Sequence, residues 1–317
     1  MTKITQYLDE SKGKTLFSIE IIPPMKGQHL GELVSHIEPL MEFNPPFIEV
    51  TYHREEYIEK SVDGILKRIP IRKRPGTLGI CAAIMQKFKV EAVPHVICGG
   101  FTKEETEDFL IDLHYLGIEN ALVLRGDQEK GEDRFVPKPG GHAFANELVA
   151  QVHAMNQGIL LHEETESLPT NFCIGVAAYP EKHFEAASLE EDLRYLKQKV
   201  DAGADYIVTQ MFFNNQHYFD FVEKCRAMDI HVPIIPGLKP LATARQLDIL
   251  PEIFHLEIPE ALASEVKKCS NNAAIKQVGI EWAVQQGKEL MQVGVPALHF
   301  YTMSKSDSVH AIASQLF

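Results

Sequence analysis

Residues 188–211 read SLEEDLRYLKQKVDAGADYIVTQM, and this run holds one structural unit. Ser188 stands at an N-cap position with Glu191 three residues on, the spacing of a capping box. Leu193, Leu196 and Val200 then recur on one helical face, and Gly203 provides the stop. Residues 206–211 follow almost at once as a short apolar run of strand composition. A helix that runs straight into a strand is half of a βαβ unit. The design recurs at 102–117, TKEETEDFLIDLHYLG. There Thr102 and Glu105 form the capping pattern, Phe109, Leu110, Leu113 and Leu116 share a face, and Gly117 closes the helix. Strands are predicted at 16–22, 47–52, 95–98, 121–124, 172–177, 206–211, 233–236 and 297–302. Strand–helix alternation of this count over 317 residues points to an α/β fold, a single-domain (β/α)₈ TIM barrel spanning residues 1–317. An open doubly wound sheet is the alternative. Residues 1–14 read as an N-terminal extension. Residues 128–141, rich in Gly, Pro and charge, read as a mobile loop.

Composition narrows the function. With 45% hydrophobic and 24% charged residues, the chain has the make-up of a soluble globular protein. Its net charge of −13 argues against nucleic acid and membrane as partners, so any anionic ligand has to be held by local Lys and Arg. Cys81, Cys98, Cys173, Cys225 and Cys269 are dispersed, which fits reduced thiols and no thiolate zinc site. The opening MTKITQYLDESKGK lacks an apolar signal core, so a cytoplasmic location is expected. No P-loop, Rossmann fingerprint, H-E-x-x-H pair or G-x-S-x-G elbow is present, and no metal is expected.

The ends of the predicted strands are polar. They carry Glu20 in TLFSIEIIPP (15–24), Thr51 and Tyr52, His95, the triplet Arg125-Gly126-Asp127, Tyr179 and Gln210, then IPGLKP (235–240) and HFYT (299–302). Barrel enzymes build their sites at these ends. Glu20 is the most informative, because a carboxylate in a strand of Phe17, Ile19, Ile21 and Ile22 must find a partner or take up a proton. Two readings stand: one half of a structural ion pair, or a working acid whose pKa the apolar neighbours Ile19, Ile21 and Ile22 raise.

Several motifs occur in order along nearly the whole chain: FSIEIIPP, FIEVTY, VPHVIC, LRGD, VAAYPEKHFEA, KVDAGADYIVTQMFF, IIPGLKPL and HFYT. With them the chain resembles the methylenetetrahydrofolate reductase family, specifically its catalytic barrel. The resemblance implies non-covalent FAD, reduced by NADH or NADPH. It further implies transfer of hydride to 5,10-methylenetetrahydrofolate, giving the 5-methyltetrahydrofolate that feeds methionine synthesis. By motif position Glu20 matches the general acid, and Asp127 the carboxylate near flavin and pterin. Thr51, His95, Arg125, Gly126, Asp127, Tyr179, His183, Glu185, Ala186, Asp192 and Lys199 match FAD contacts, as do Phe144 and Ala145, which stand where a Tyr-Ala pair is usual. Gln210, Gln246, Leu250 and Lys305 match substrate contacts, with Glu20 and Asp127. Ser304 and Lys305 depart from a frequent Asn and Arg, and Lys lacks the planar fork that grips a carboxylate. The chain stops after the barrel, so inhibition by adenosylmethionine is not expected. A homo-oligomer is expected. Two rivals remain: a flavin-free, folate-binding one-carbon transferase barrel, and a non-catalytic ligand-binding barrel.

Overall fold

The apolar runs become strands in a computed structural model that describes residues 2–129, 132, 134–162, 167–303 and 305–317. In chain order these are β1 (Leu16–Ile21), β2 (Phe47–Val50), β3 (Glu56–Val62), β4 (Ile65–Ile71), β5 (Glu91–Ile97) and β6 (Asn120–Leu124). There follow β7 (Cys173–Ala178), β8 (Tyr206–Thr209), β9 (Ile234–Ile235), β10 (Gly237–Leu238) and β11 (Ala297–Tyr301). All except β3 and β4 form one sheet in the order β10-β11-β1-β2-β5-β6-β7-β8-β9, and every pairing in it is parallel. β9 and β10 are two halves of a strand bent at Pro236. The first half pairs with β8 and the second with β11, which brings the two edges together as a barrel. The predicted barrel is therefore the observed fold, and the open sheet is not. Gly237 sits at the closure, where an added Cβ would lie 2.3 Å from the Thr209 carbonyl oxygen and 2.6 Å from the Tyr301 ring.

Alternation along the strands sorts the core into two parts. Phe17, Ile19 and Ile21 of β1 face outward, packed with Leu33, Ile37 and Leu40 in the layer beneath the helices. Phe47, Val93, Leu122, Cys173, Tyr206, Val208 and Ile235 fill the barrel interior. Ile4 and Leu8 join that interior cluster, so the expected N-terminal extension contains a helix, Ile4–Glu10, that stoppers the barrel. Asn120 fastens it: Oδ1 accepts the Ile4 N–H at 2.9 Å and Nδ2 donates to the Thr2 carbonyl at 3.0 Å. Ile4 is fully buried. Ile4→Ala is expected to cost about 2–5 kcal/mol, read as a lower urea midpoint, with ligand binding at the far end of the barrel unchanged.

Local signals held, with some corrections. Thr102 and Glu105 form the reciprocal capping box, at 3.1 and 2.8 Å. Ser188 accepts the Glu191 N–H at 3.2 Å, but Glu191 turns to the Ala187 N–H instead. Leu116 lies past the end of its helix and is exposed, unlike Leu110 and Leu113. β5 begins at Glu91, not His95. Pro94 sits inside the strand, opposite Val50. The antiparallel β3–β4 hairpin was not anticipated, although Asp63-Gly64, both at positive φ, is a hairpin turn signal between apolar-rich flanks. No helix among the described residues is long and apolar enough to cross a membrane. Residues 130, 131 and 133 of the predicted loop, and Ser304, lie outside the described residues.

Candidate active site

The C-terminal strand ends open into a cavity of about 1470 Å³. Glu20, Thr51, His95, Arg125, Gly126, Asp127, Phe144, Ala145, Tyr179, His183, Glu185, Ala186, Asp192, Lys199 and Gln210 all line it. Gly126 takes φ +85°, which turns the chain sharply between Arg125 and Asp127 and leaves both side chains on the cavity wall. Gln246, Leu250 and Lys305 are not brought to that wall. The Gln246 Oε1 is occupied by the Ala242 and Thr243 N–H groups, at 2.7 and 3.0 Å, where it caps its own helix. Leu250 is buried in a satellite core with Met211, Phe213 and Leu262. Lys305 is exposed, its N–H on the Thr302 carbonyl. One turn beyond Leu250, Phe254 and His255 line the cavity instead, and His255 stacks on Phe184 at 5.0 Å.

Glu20 lies at the cavity floor with 13% of its side chain exposed. Its Oε2 is 3.5 Å from His95 Nε2. Burial raises its pKa to about 7, against the opposing pull of His95 and with added repulsion from Glu49. The cause differs from the one read in the sequence. Ile19 and Ile21 point to the other face of the strand, and Glu20 is desolvated by the barrel interior, where Glu49 and Tyr301 are its register partners. His95, also in the interior, has its pKa lowered by burial.

The side of the cavity formed after β6 and β7 carries Arg125 and Lys199. Arg125 is ion-paired with Glu185 and stands 5.1 Å over the Phe135 ring. The Arg125 hydrogen bond holds the Glu185 carboxyl below its usual range. Lys199 donates from Nζ to the Ala177 carbonyl at 2.5 Å, and burial lowers its pKa to about 8 despite Asp192 nearby. Asp192 accepts the His183 N–H at 2.8 Å, and His183 meets the Tyr179 ring edge-on at 4.7 Å. Thr51 Oγ1 lies 3.1 Å from His53 Nε2. Gln210 uses its Oε1 to accept the Met211 N–H at 2.9 Å. This set of donors suits an anionic, aromatic ligand.

Residues 3–317 match the sequence pattern of the family described as methylenetetrahydrofolate reductase. The chain belongs to that family. It is similar to the 5,10-methylenetetrahydrofolate reductase of Escherichia coli (strain K12), 31% identical over 99% of this chain and 94% of that protein. It is also similar to the probable methylenetetrahydrofolate reductase (NADH) of Oryza sativa subsp. japonica, 30% identical over 99% of this chain. The chain spans about half the length of the plant relatives it matches. Among solved structures, an uncharacterized protein from Clostridium thermocellum shares the fold, with a TM-score of 0.56 at 13% identity over 98% of this chain and 97% of that one. That protein is described as binding two copies of 5-methyl-5,6,7,8-tetrahydrofolic acid.

For a member of this reductase family, sequence reasoning missed several wall and floor residues. Arg54 lines the cavity, with a buried Nη2 that has no hydrogen-bond partner. Phe184, Phe254 and His255 supply an aromatic edge. Lys239, in the quoted IPGLKP, is buried near Glu20, and burial lowers its pKa to about 8. Phe184 lies between His183 and Glu185, and Arg54 lies two residues past Tyr52, so the nearest signal was a shared loop.

Proposed function

We propose that this chain reduces 5,10-methylenetetrahydrofolate to 5-methyltetrahydrofolate, with NADH or NADPH as the reductant and Glu20 as general acid. The balance is one substrate, one NAD(P)H and one proton in, one product and one NAD(P)⁺ out. Because the product keeps its methyl group on N5, the bond from the methylene carbon to N10 must break. N10 takes the proton and the carbon takes the hydride. Bound FAD would supply the two-electron relay between the nicotinamide and the folate carbon. The observation that carries the reading is the Glu20 carboxyl, desolvated so that its pKa rises to about 7, at the floor of a cavity whose wall sets Arg54, Arg125 and Lys199 among several carboxylates.

The residues present fit FAD. Lys199, a half-buried lysine whose ammonium donates to one carbonyl, and Arg54, with an unpartnered buried nitrogen, offer donors that a diphosphate can accept from. Arg125, Thr51, His183 and Tyr179 would surround the rest of the molecule, with Phe144, Ala145, Glu185, Ala186 and Asp192 completing the wall. Asp127 and Gln210 would hold the pterin over Glu20. In an acidic chain such local cations are the means of retaining a diphosphate. Lys199→Ala is therefore expected to speed FAD loss on dilution by about ten- to a hundredfold, since a charge-assisted bond contributes about 1.5–3 kcal/mol. An unchanged dissociation rate would place the diphosphate elsewhere.

The protonation state sets the pH dependence. Glu20 acts only as the acid, so folate reduction should be level below about pH 7 and fall about tenfold per unit above it. The decisive experiment is the visible spectrum of purified protein, followed by anaerobic bleaching with each nicotinamide and recovery of colour on adding 5,10-methylenetetrahydrofolate. Protein that binds folate but neither carries nor takes up flavin would favour the transferase reading.

A further inference from the structure

Glu49, His95 and His299, which lie together in the barrel interior below Glu20, have no part in the mechanism so far. Glu49 of β2 lies in register with Glu20 of β1, and its side chain is completely buried. Neither of its carboxyl oxygens has a hydrogen-bond partner. Its Oε2 is 3.5 Å from His95 Nε2 and 3.4 Å from His299 Nε2. His299 is held from behind, with Nδ1 2.9 Å from Ser18 Oγ. His95 Nε2 is in turn 3.5 Å from Glu20 Oε2. A row Ser18–His299–Glu49–His95–Glu20 therefore crosses the barrel interior, and one nitrogen of His95 faces two carboxyl groups.

That shared nitrogen limits the charge. If His95 Nε2 carries a hydrogen, it can donate along one line only; Glu49 has a second nitrogen within reach, His299 Nε2 at 3.4 Å, whereas Glu20 has His95 alone among these imidazoles. If Nε2 is bare, it accepts from one carboxylic acid and repels the other as an anion. An ionised Glu20 must either compete with Glu49 for the His95 hydrogen or face Glu49 across a bare nitrogen, so the two carboxyls titrate as a linked pair. The other groups facing them are Lys239 beyond β10 and Tyr301 of β11 at Glu20, and Tyr206 of β8 at Glu49. Lys239 favours the Glu20 anion, but makes no ion pair with it among the described residues. Burial keeps the two tyrosines neutral and pushes His299, like His95, toward its neutral form.

We infer that Glu49 is a positioning residue for the acid step: by occupying His95 it keeps Glu20 in its proton-bearing form at neutral pH. The inference rests on the reading of Glu20 as the general acid.

Glu49→Leu frees His95 to donate to Glu20 alone, so Glu20 should ionise at lower pH. In the FAD-loaded enzyme, single-turnover folate reduction is followed from about pH 5.5 to about pH 9. The descending limb is expected to move down by about one unit, a loss of about fivefold at pH 7 that approaches tenfold above pH 8, with little change at the acid end. Bleaching by NADH should change little throughout. Glu49→Gln should keep the limb near its original place, because the amide can still engage His95 as donor or acceptor. If Glu49→Leu does not fold, as judged by flavin content and circular dichroism, Glu49→Met reads the same quantity. A limb that stays put in the apolar variant, or a loss uniform across pH, overturns the inference. So does stoichiometric zinc retained after chelation, since Glu20, Glu49 and His95 place ligand atoms within 4.8 Å of one another. Glu20→Gln separates the two claims. If it reduces folate normally, the general-acid reading fails and takes this one with it. If it collapses while Glu49→Leu leaves the limb in place, only the role of Glu49 fails.

Discussion

Glu20→Gln is expected to retain FAD and its bleaching by NADH or NADPH, while reduction of 5,10-methylenetetrahydrofolate falls by about 10²- to 10⁴-fold. The asymmetry follows from where a proton is needed. Hydride delivery from nicotinamide asks nothing of the folate amine, whereas breaking the bond to N10 leaves that nitrogen with an electron pair that must be protonated. Gln has the shape of the acid and its hydrogen-bonding capacity toward His95, but no proton to give. Stopped-flow traces of the two half-reactions provide the test. Normal folate turnover in the variant would leave Glu20 as a structural partner of His95, whose Nε2 it approaches to 3.5 Å.

Asp127→Asn should act on both half-reactions, in opposite directions. Asp127 stands on the cavity wall beyond Gly126, close enough to oppose ionisation of the Tyr179 hydroxyl. A carboxylate beside the isoalloxazine disfavours the arrival of electrons, so its removal should raise the flavin potential. In the proposed reaction the opened folate would carry a cationic iminium at N5, and loss of the neighbouring negative charge should slow its formation by about 10²- to 10³-fold. Potentiometric titration against a reference dye, paired with single-turnover folate reduction, reads the two effects separately. If neither the potential nor the folate rate moves, Asp127 lies outside the site, and the assignment of the Leu124–Asp127 turn falls with it.

Much of the cavity wall was legible because the strand ends of a parallel barrel converge. Once the strands are found in sequence, Glu20, Thr51, His95, Asp127, Tyr179 and Gln210 have nowhere else to go. Gln246 and Leu250 were less legible, since they sit in a helix beyond the barrel strands whose rotation is set by packing. That packing turns Leu250 into the core with Phe213 and Leu262 and presents Phe254 to the cavity. The N-terminal helix escaped notice because its seven residues carry few apolar positions, and only the unfilled end of the barrel gives Ile4 and Leu8 a place to be buried.

Local chemistry alone determined the units of this protein: N-caps at Thr102 and Ser188, apolar helix faces, glycine stops and short buried strands, each specified within a few residues. Their number and alternation were enough to select the barrel. What the tertiary structure alone decided is the company Glu20 keeps. In the linear chain its neighbours are Ile19 and Ile21, yet a strand turns adjacent side chains to opposite faces, so those two pack outward beneath the helices. The groups that govern its proton, His95, Glu49 and Lys239, come from other strand ends. They meet only because barrel closure fixes the register between strands distant in sequence, and desolvation and Coulomb forces act across space between whichever side chains that register brings together.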